Sequence, residues 1–182
     1  MKELSLNILD ITENSVKAGA TLTTIYLKET KSTLTLTVED NGSGMDEETV
    51  RMVTDPFYTT RTTRKVGMGI PLIKLAAEQT GGYVDIKSVT RAVDSINHGT
   101  VLTAHFIKDH IDFTPLGDVI STVQTLIQGH PNTDFLYIHD KESGRVELDT
   151  RDMREVLEDV PLDSYEVVSW VGENLKEQYE NL

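Results

Sequence analysis

The fold is decided by residues 38–45, which have the sequence VEDNGSGM. Asp40 stands at the end of an alternating run of threonine and apolar residues, and Gly42 and Gly44 follow it. Glycine lets the backbone turn sharply and approach a flat ligand, and a carboxylate at a strand end accepts a hydrogen bond from an exocyclic amine. Because acidic β-turns have the same composition, this stretch alone leaves both a structural and a ligand-binding role open.

A second glycine-rich element, Gly67-Met68-Gly69, precedes a predicted helix that has Pro71 in its first turn. Small residues at a helix start leave backbone N–H groups open to phosphate oxygens, and the helix dipole favours an anion. A tight turn before a helix is the alternative. A dinucleotide-binding motif would need glycine where Leu72 stands, and the chain has no glycine-lysine-serine/threonine triplet of a Walker A motif.

The first predicted helix carries Asp10, Asn14 and Lys17 at helical spacings of four and three residues. Side chains at these spacings project from one side of a helix. An amide oxygen suits magnesium, a carboxylate suits water and an ammonium suits phosphate, so these side chains together fit a metal–phosphate group. A solvated charged face would have the same pattern.

Taken together, these motifs resemble the ordered boxes of the GHKL superfamily (gyrase, Hsp90, histidine kinase, MutL). The resemblance covers residues 4–107 and is carried by ILDITENSVKAGAT, VEDNGSGM, DPFYTTRT, KVGMGIPLIKLAAEQTGG and HGTVLTAHF. It implies an α/β (α+β) two-layer sandwich of the Bergerat type, a mixed sheet under helices, in which ATP lies between the helix layer and a lid.

The resemblance also implies roles for single residues. Asn14 is expected to ligate magnesium, Lys17 to contact phosphate and Asp40 to bind the adenine amino group. Asp10 stands where related ATPases usually carry a glutamate base, but aspartate is one methylene shorter, so catalysis and metal support both stay open. The other expected nucleotide-binding residues are Gly42, Gly44, Met45, Phe57, Lys65, Gly67, Met68, Gly69, Gly99, Thr100 and Thr103.

Residues 55–66 are expected to form a mobile lid anchored by Phe57. Threonines and cations dominate this stretch, and it has almost no apolar content to bury. Arg61, Arg64 and Lys65 are expected to lie near the phosphates as counter-charges. A solvated basic loop is the alternative.

Charge divides the chain into two predicted regions. The net charge of the 182 residues is −13, and residues 109–182 carry 17 acids and 5 bases, whereas residues 1–108 are nearly balanced. This charge opposes binding to nucleic acid or anionic lipid. We therefore predict an ATP-binding domain over 1–108 and an acidic αββαα extension over 109–182, docked on that domain or used for partner or dimer contacts.

The predicted extension begins with a helix from Pro115 to Gln128, capped by Thr114 and carrying an apolar stripe. A hairpin and two amphipathic helices follow, and His139 is expected to be a surface residue of the hairpin. No cysteine is present, which excludes disulfides and thiolate metal sites, and no apolar run reaches bilayer length. We expect a cytoplasmic protein that contacts neither membrane nor nucleic acid.

Two functions follow from these expectations. One is a stand-alone, magnesium-dependent regulatory kinase or ATPase that transfers the γ-phosphate of ATP to a partner protein or to water. The other is a nucleotide-gated protein-binding module with little or no turnover. Both have ATP, ADP and Mg²⁺ as ligands, a protein partner, and a homodimer as a possible assembly.

Overall fold

The computed structural model describes residues 3–54 and 69–182. Within these residues, helices and strands follow one another as α1 (Leu4–Lys17), β1 (Leu22–Glu29), β2 (Thr33–Asp40), α2 (Glu47–Thr54), α3 (Gly69–Gln79), β3 (Tyr83–Val89), β4 (Gly99–Ile107), α4 (Val119–Gly129), β5 (Asp134–Lys141), β6 (Gly144–Asp149), α5 (Thr150–Leu157) and α6 (Tyr165–Glu180).

The strands form one mixed sheet in the order β3-β4-β2-β1-β5-β6. All neighbouring strands are antiparallel except β1 and β5, which run parallel from the pair Leu22–Asp134 to the pair Glu29–Lys141. Helices α1, α3, α4 and α6 pack on the sheet or on one another. The α/β architecture expected from the sequence, a mixed sheet under helices, is confirmed.

Alternation along the central strands separates a core face from an open face. Ile25 and Leu27 of β1 and Leu36 and Val38 of β2 are buried, while Tyr26 and Thr37 between them are only partly buried. A strand places successive side chains on opposite faces, so one face packs under the helices and the other meets solvent. This alternation also directs the Asp40 side chain, two residues beyond Val38, to the helix face.

The inner side of α1 is built from residues at helical spacing. Leu4, Ile8 and Ile11 are buried, and Ser15 continues the same stripe towards the C-terminal end. The helix ends before Gly19, whose φ of +76° is a left-handed conformation that favours glycine. Its last turn is thereby held next to the end of β2.

The start of α4 differs from the sequence-based prediction. The helix begins at Val119, not at Pro115, and its N-cap is Asp118, whose side chain accepts a hydrogen bond from Ser121 N. Gly117 has a φ of +77°, which is incompatible with a helix through this position. Pro115 O instead accepts a hydrogen bond from Leu4 N and so fastens the segment to the start of α1.

The buried face of α3 also differs from expectation. The sequence pattern favours Leu72, Leu75 and Ala76 as the apolar face, but Leu75 is half-exposed, and Ile73 and Ala77 are fully buried. Apolar residues occur on more than one side of this short helix, so periodicity alone does not choose between the faces.

Residues 109–182 share the core of the front part of the chain. Strand β5 extends the sheet beside β1, and α4 packs against both α1 and α6. A polar contact crosses the same boundary, since Nε2 of His130 lies 2.7 Å from Oε1 of Glu13. Pairing of β5 with β1 removes the edge that β1 would otherwise expose.

His139 is buried, and the prediction of a surface histidine is wrong. Its ring is 1% exposed, with Nδ1 at 2.7 Å from the Tyr179 hydroxyl and Nε2 at 3.0 Å from Oε2 of Glu29. Lys108 donates a hydrogen bond of 2.6 Å to the other carboxylate oxygen of Glu29. The hairpin lies under α6, so a residue near a turn in sequence is covered in the fold.

Candidate functional site

The carboxylate of Asp40 is fixed by two donors at the end of β2. The hydroxyl of Ser15 donates a hydrogen bond of 2.7 Å to Oδ2, and the backbone N–H of Gly42 donates one of 2.9 Å to Oδ1. Each oxygen keeps lone pairs free for a further donor. The carboxylate is therefore oriented before any ligand arrives.

The turn after Asp40 is held tightly against neighbouring backbone. Asn41 Oδ1 accepts hydrogen bonds from the backbone N–H groups of Thr21 and Leu22, which fixes the start of the turn. Gly44 has a φ of +70°, and a Cβ there would overlap the carbonyl of Val89. Glycine is needed at this position for both conformation and space.

Gly99 and Thr100 complete the floor from β4. A side chain at Gly99 would overlap the backbone carbonyl of Asp40, so only glycine allows the two strands to come this close. Thr100 pairs with Asp40 in the strand register, and its hydroxyl lies 2.8 Å from that of Ser88. The Ser88 hydroxyl also accepts a hydrogen bond from Met45 N and thereby fixes the residue after the turn.

These elements surround a pocket of about 380 Å³, within the range of small-molecule sites. Its polar side chains come from the end of α1 and from the strand ends: Asn14, Ser15, Lys17, Asp40 and Thr100. Apolar side chains supply most of the remaining wall: Ile11, Val38, Met45, Val53, Ile70 and Leu102. A mostly apolar wall with a few fixed polar groups suits a flat, partly polar ligand.

A family model described as histidine kinase-, DNA gyrase B-, and HSP90-like ATPase matches residues 2–110, more than half of the chain. The chain belongs to this ATPase family. The match contains every residue of the pocket wall, so the pocket is a feature of the ATPase domain.

Two curated relatives of this ATPase-family chain are sensor histidine kinases. The tetrathionate sensor histidine kinase TtrS of Salmonella typhimurium is 31% identical over 103 residues, which are 57% of this chain and 17% of the relative. The sensor histidine kinase YvrG of Bacillus subtilis is 35% identical over 88 residues, 46% of this chain and 14% of the relative. The chain thus spans less than a fifth of the length of these relatives.

Solved structures of similar fold cover more of the chain. The N-terminal domain of a DNA repair protein matches 82% of this chain and 52% of its own, with a TM-score of 0.58 and 15% identity. The Aquifex aeolicus MutL ATPase domain complexed with ADP matches 87% of this chain and 70% of its own, with a TM-score of 0.54 and 16% identity. At these identities the likeness concerns the fold.

The structure brings together only some of the residues that the sequence assigns to the ATPase site. Asn14, Lys17, Asp40, Gly44, Met45 and Thr100 line the pocket, and Gly42 and Gly99 pack directly behind it. Thr103 lies on the open face of the sheet, between Thr37 and Asp85 in the strand register, and the structure does not bring it to the pocket.

Asp10 and Gly69 meet where α1 crosses the start of α3. A Cβ placed on Gly69 would lie 2.8 Å from Cβ of Asp10, so the two helices touch at this point. The Asp10 side chain is exposed and is not part of the pocket wall. Phe57, Lys65, Gly67, Met68, Arg61, Arg64 and the lid expected at 55–66 lie outside the described residues.

Sequence analysis missed Ser15 as part of the site. Ser15 is 4% exposed and lies four residues after Ile11, on the buried stripe of α1. A small polar residue on an apolar helix stripe needs a hydrogen-bond partner in the core, and this was the available signal. The acceptor of this hydrogen bond, Asp40, is 25 residues away in sequence. Only the packing of α1 on β2 shows that the two residues meet.

The residues present fit a magnesium ion that is shared with phosphates. Asn14 lines the pocket with an amide oxygen, and no hydrogen bond among the described residues uses its carboxamide. Within residues 3–54 and 69–182 no cluster of three histidine or acidic side chains forms a metal site of its own. Magnesium commonly takes one or two protein ligands and completes its octahedron with phosphate oxygens and water.

No helix in the described part of the chain is both long and apolar enough to cross a bilayer.

Proposed function

We propose that the pocket binds ATP with magnesium and that the chain is a regulatory protein kinase or ATPase of its family. The observation that carries this proposal is the Asp40 carboxylate, held by Ser15 and Gly42 at the floor of a pocket with apolar walls. The MutL ATPase domain of similar fold is complexed with ADP, which supports the same class of ligand here.

Adenine recognition is assigned to the floor of the pocket. Asp40 accepts a hydrogen bond from the exocyclic amine, and the register partners Val38 and Leu102 contribute apolar wall next to it on the two strands. Met45 follows the glycine turn and covers the base from the direction of α2. Burial of the flat base between apolar side chains provides affinity, and the carboxylate provides selectivity.

Phosphate binding is assigned to the end of α1. Asn14 ligates magnesium through its amide oxygen and Lys17 pairs with a phosphate oxygen, as their places in the pocket wall allow. The bound magnesium would neutralise phosphate charge and stabilise the charge that develops during transfer. Gly69, with Lys65, Gly67 and Met68 assigned from the sequence, is expected to provide the helix start that faces the phosphates.

Phosphoryl transfer demands mainly positioning and neutralisation, which these groups supply. The acceptor is a partner protein or water, and the names of the sensor histidine kinase relatives favour a protein. For transfer to water, Asp10 is the candidate general base on α1.

A nucleotide-gated binding module is the second candidate function. It is favoured by the position of Asp10, whose exposed side chain lies outside the pocket wall. A base must come within hydrogen-bond reach of the water it activates. Binding without turnover requires no base.

Incubation of the protein with magnesium and ATP labelled in the γ-phosphate separates these functions. Release of labelled phosphate, or its transfer to added protein, supports the enzyme; tight binding with the label retained in ATP supports the module. An EDTA-treated sample and an Asp40→Asn variant serve as controls. If neither ATP nor ADP binds the wild-type protein in calorimetry, both candidate functions are wrong.

A further inference from the structure

An apolar groove lies between α5 and α6, away from the nucleotide pocket. Val156 and Val160 form one wall, Trp170 forms the other, and Met153 and Val167 form the floor. Val156 is 83% exposed, Val160 49% and Trp170 50%, whereas the two floor residues are buried. The groove encloses about 600 Å³, enough for several large side chains.

Exposed apolar side chains that are grouped around one groove need a physical explanation, unlike scattered ones. Scattered apolar residues are ordinary on a protein surface, but a contiguous patch with a polar rim marks an interaction site. Tryptophan is enriched among the residues that dominate binding energies at interfaces. Trp170 is the only tryptophan in the chain, and half of its surface is left in solvent at this groove.

The rim of the groove is acidic. Asp152 and Glu166 line it directly, and Glu155 and Asp159 are exposed on the same helix and in the loop that follows. The two arginines of α5 are directed elsewhere, since Arg151 pairs with Asp149 and Arg154 pairs with Asp134. Among the described residues, no cation forms an ion pair with these four rim carboxylates.

We propose that this groove docks an amphipathic helix of a partner protein, with large apolar side chains on one face and lysines or arginines beside them. The apolar floor between two helices accepts side chains at positions i, i+3 or i+4, and i+7. The acidic rim attracts basic flanks and accelerates association. A second copy of this chain would bring the same acidic rim against its own, and like charges oppose that arrangement.

The docking site is independent of the proposed nucleotide site, because the two share no lining residue. Substitution of Asp40 by asparagine is therefore expected to weaken nucleotide binding and to leave the groove unchanged. Failure of the docking proposal can thus be distinguished from failure of the proposed nucleotide function.

The test uses the full chain and a synthetic peptide of about four helical turns, with leucines on one face and lysines on the other. Burial of Trp170 shifts its emission to shorter wavelength, and anisotropy of the labelled peptide gives the affinity. A peptide of identical composition but permuted order, and one with glutamates replacing the lysines, are the matched controls. We expect binding of the first peptide only, with affinity that falls as salt rises.

Two double variants locate the binding surface. Val156→Ser/Val160→Ser is expected to lower the affinity for the peptide by about tenfold, because two apolar contacts are lost. Val93→Ser/Ile111→Ser changes two strongly exposed apolar residues, 82% and 94% exposed, that lie outside the groove, and this variant is expected to bind like the wild type. All four side chains lie outside the core, so the variants retain the fold.

Equal binding of the permuted peptide, or unchanged affinity in Val156→Ser/Val160→Ser, would overturn the proposal. A dimer of this chain would also overturn it. In that case Trp170 emission shifts with protein concentration alone, and sedimentation velocity detects a dimer that is lost in Val156→Ser/Val160→Ser. In that case the groove joins two copies of this chain.

Discussion

The hydroxyl of Ser15 on α1 and the carboxylate of Asp40 on β2 are joined by a hydrogen bond of 2.7 Å. The bond connects the helix that supplies Asn14 and Lys17 with the strand end that supplies the floor of the pocket. A charge-assisted hydrogen bond of this kind is stronger than a neutral one and limits rotation of the carboxylate. It therefore joins the two elements to which the adenine and phosphate contacts are assigned.

Ser15→Ala is expected to weaken nucleotide binding by about fivefold to tenfold, because Asp40 loses one of the two donors that orient it. Isothermal calorimetry with ATP and magnesium measures the effect. Ser5→Ala, also buried on α1 but far from the pocket, is the matched control. Equal affinities of wild type and Ser15→Ala would mean that this bond does not orient the carboxylate.

Asp40→Asn is expected to reduce affinity for adenine nucleotides by roughly fivefold to a hundredfold, equivalent to about 1–3 kcal/mol. The amide presents a donor where the carboxylate presents an acceptor. Asn14→Ala is expected to reduce affinity by a similar factor only when magnesium is present. Glu39→Gln, at the neighbouring position of β2 on the open face, is the control for charge. Unchanged ATP affinity in Asp40→Asn would refute the adenine assignment.

Gly44→Ala is expected to destabilise the protein more than Gly81→Ala. Both glycines have positive φ, near +70° and +83°, so both substitutions add about 1 kcal/mol of backbone strain. A methyl group at Gly44 also overlaps the carbonyl of Val89, whereas the space around Gly81 is open. Urea unfolding curves measure the difference, and equal losses for the two variants would contradict the close packing of the turn.

The buried histidine predicts a pH dependence of stability. Burial lowers the pKa of His139 below its ordinary value, and the Glu29 carboxylate only partly opposes this. The unfolded chain therefore binds the proton more readily than the folded one, and stability is lost as pH falls through the ordinary histidine range. Burial also raises the pKa of Tyr179 to about 12, so its hydroxyl stays protonated beside the ring.

His139→Gln removes this titration, and its free energy of unfolding is expected to fall less than that of the wild type between about pH 7.5 and 5.5. Urea unfolding at several pH values gives the two slopes. His110→Gln, at an exposed position, is expected to follow the wild type. Parallel slopes for wild type and His139→Gln would contradict the lowered pKa.

We propose that residues 109–182 stabilise the ATPase domain, and residues 1–108 made alone are expected to be less stable or to aggregate. Their removal uncovers the β1 edge and the apolar side of α1 that faces α4. Each large apolar side chain returned to water costs about 1.5–3 kcal/mol. Thermal unfolding and sedimentation of the truncated and full chains measure the effect, and equal stability would make the tail a separate interaction module.

Local sequence patterns determined most of the secondary structure and the centre of the site. Three of these patterns extend over only a few residues: the alternation in β1 and β2, the helical spacing in α1 and the glycines after Asp40. They can therefore be read from the sequence without knowledge of the tertiary structure. For the same reason Asn14, Lys17 and Asp40 could be predicted as site residues from their spacing and from the family resemblance, and the structure places all three in the pocket wall. Local patterns did not locate the start of α4, where the positive φ of Gly117 prevents the helix from beginning at Pro115.

Only the tertiary structure decided the pairing of β5 with β1, the burial of His139 and the bond from Ser15 to Asp40. Each joins residues far apart in the chain, and short-range periodicity carries no information about which distant element will be the neighbour. Thr103 illustrates the same limit within one strand, since it follows Thr100 by three residues, and this odd spacing places it on the opposite face of the sheet. The residues of a site built from α1, β2 and β4 can therefore be predicted from the sequence, but their arrangement depends on how these elements pack.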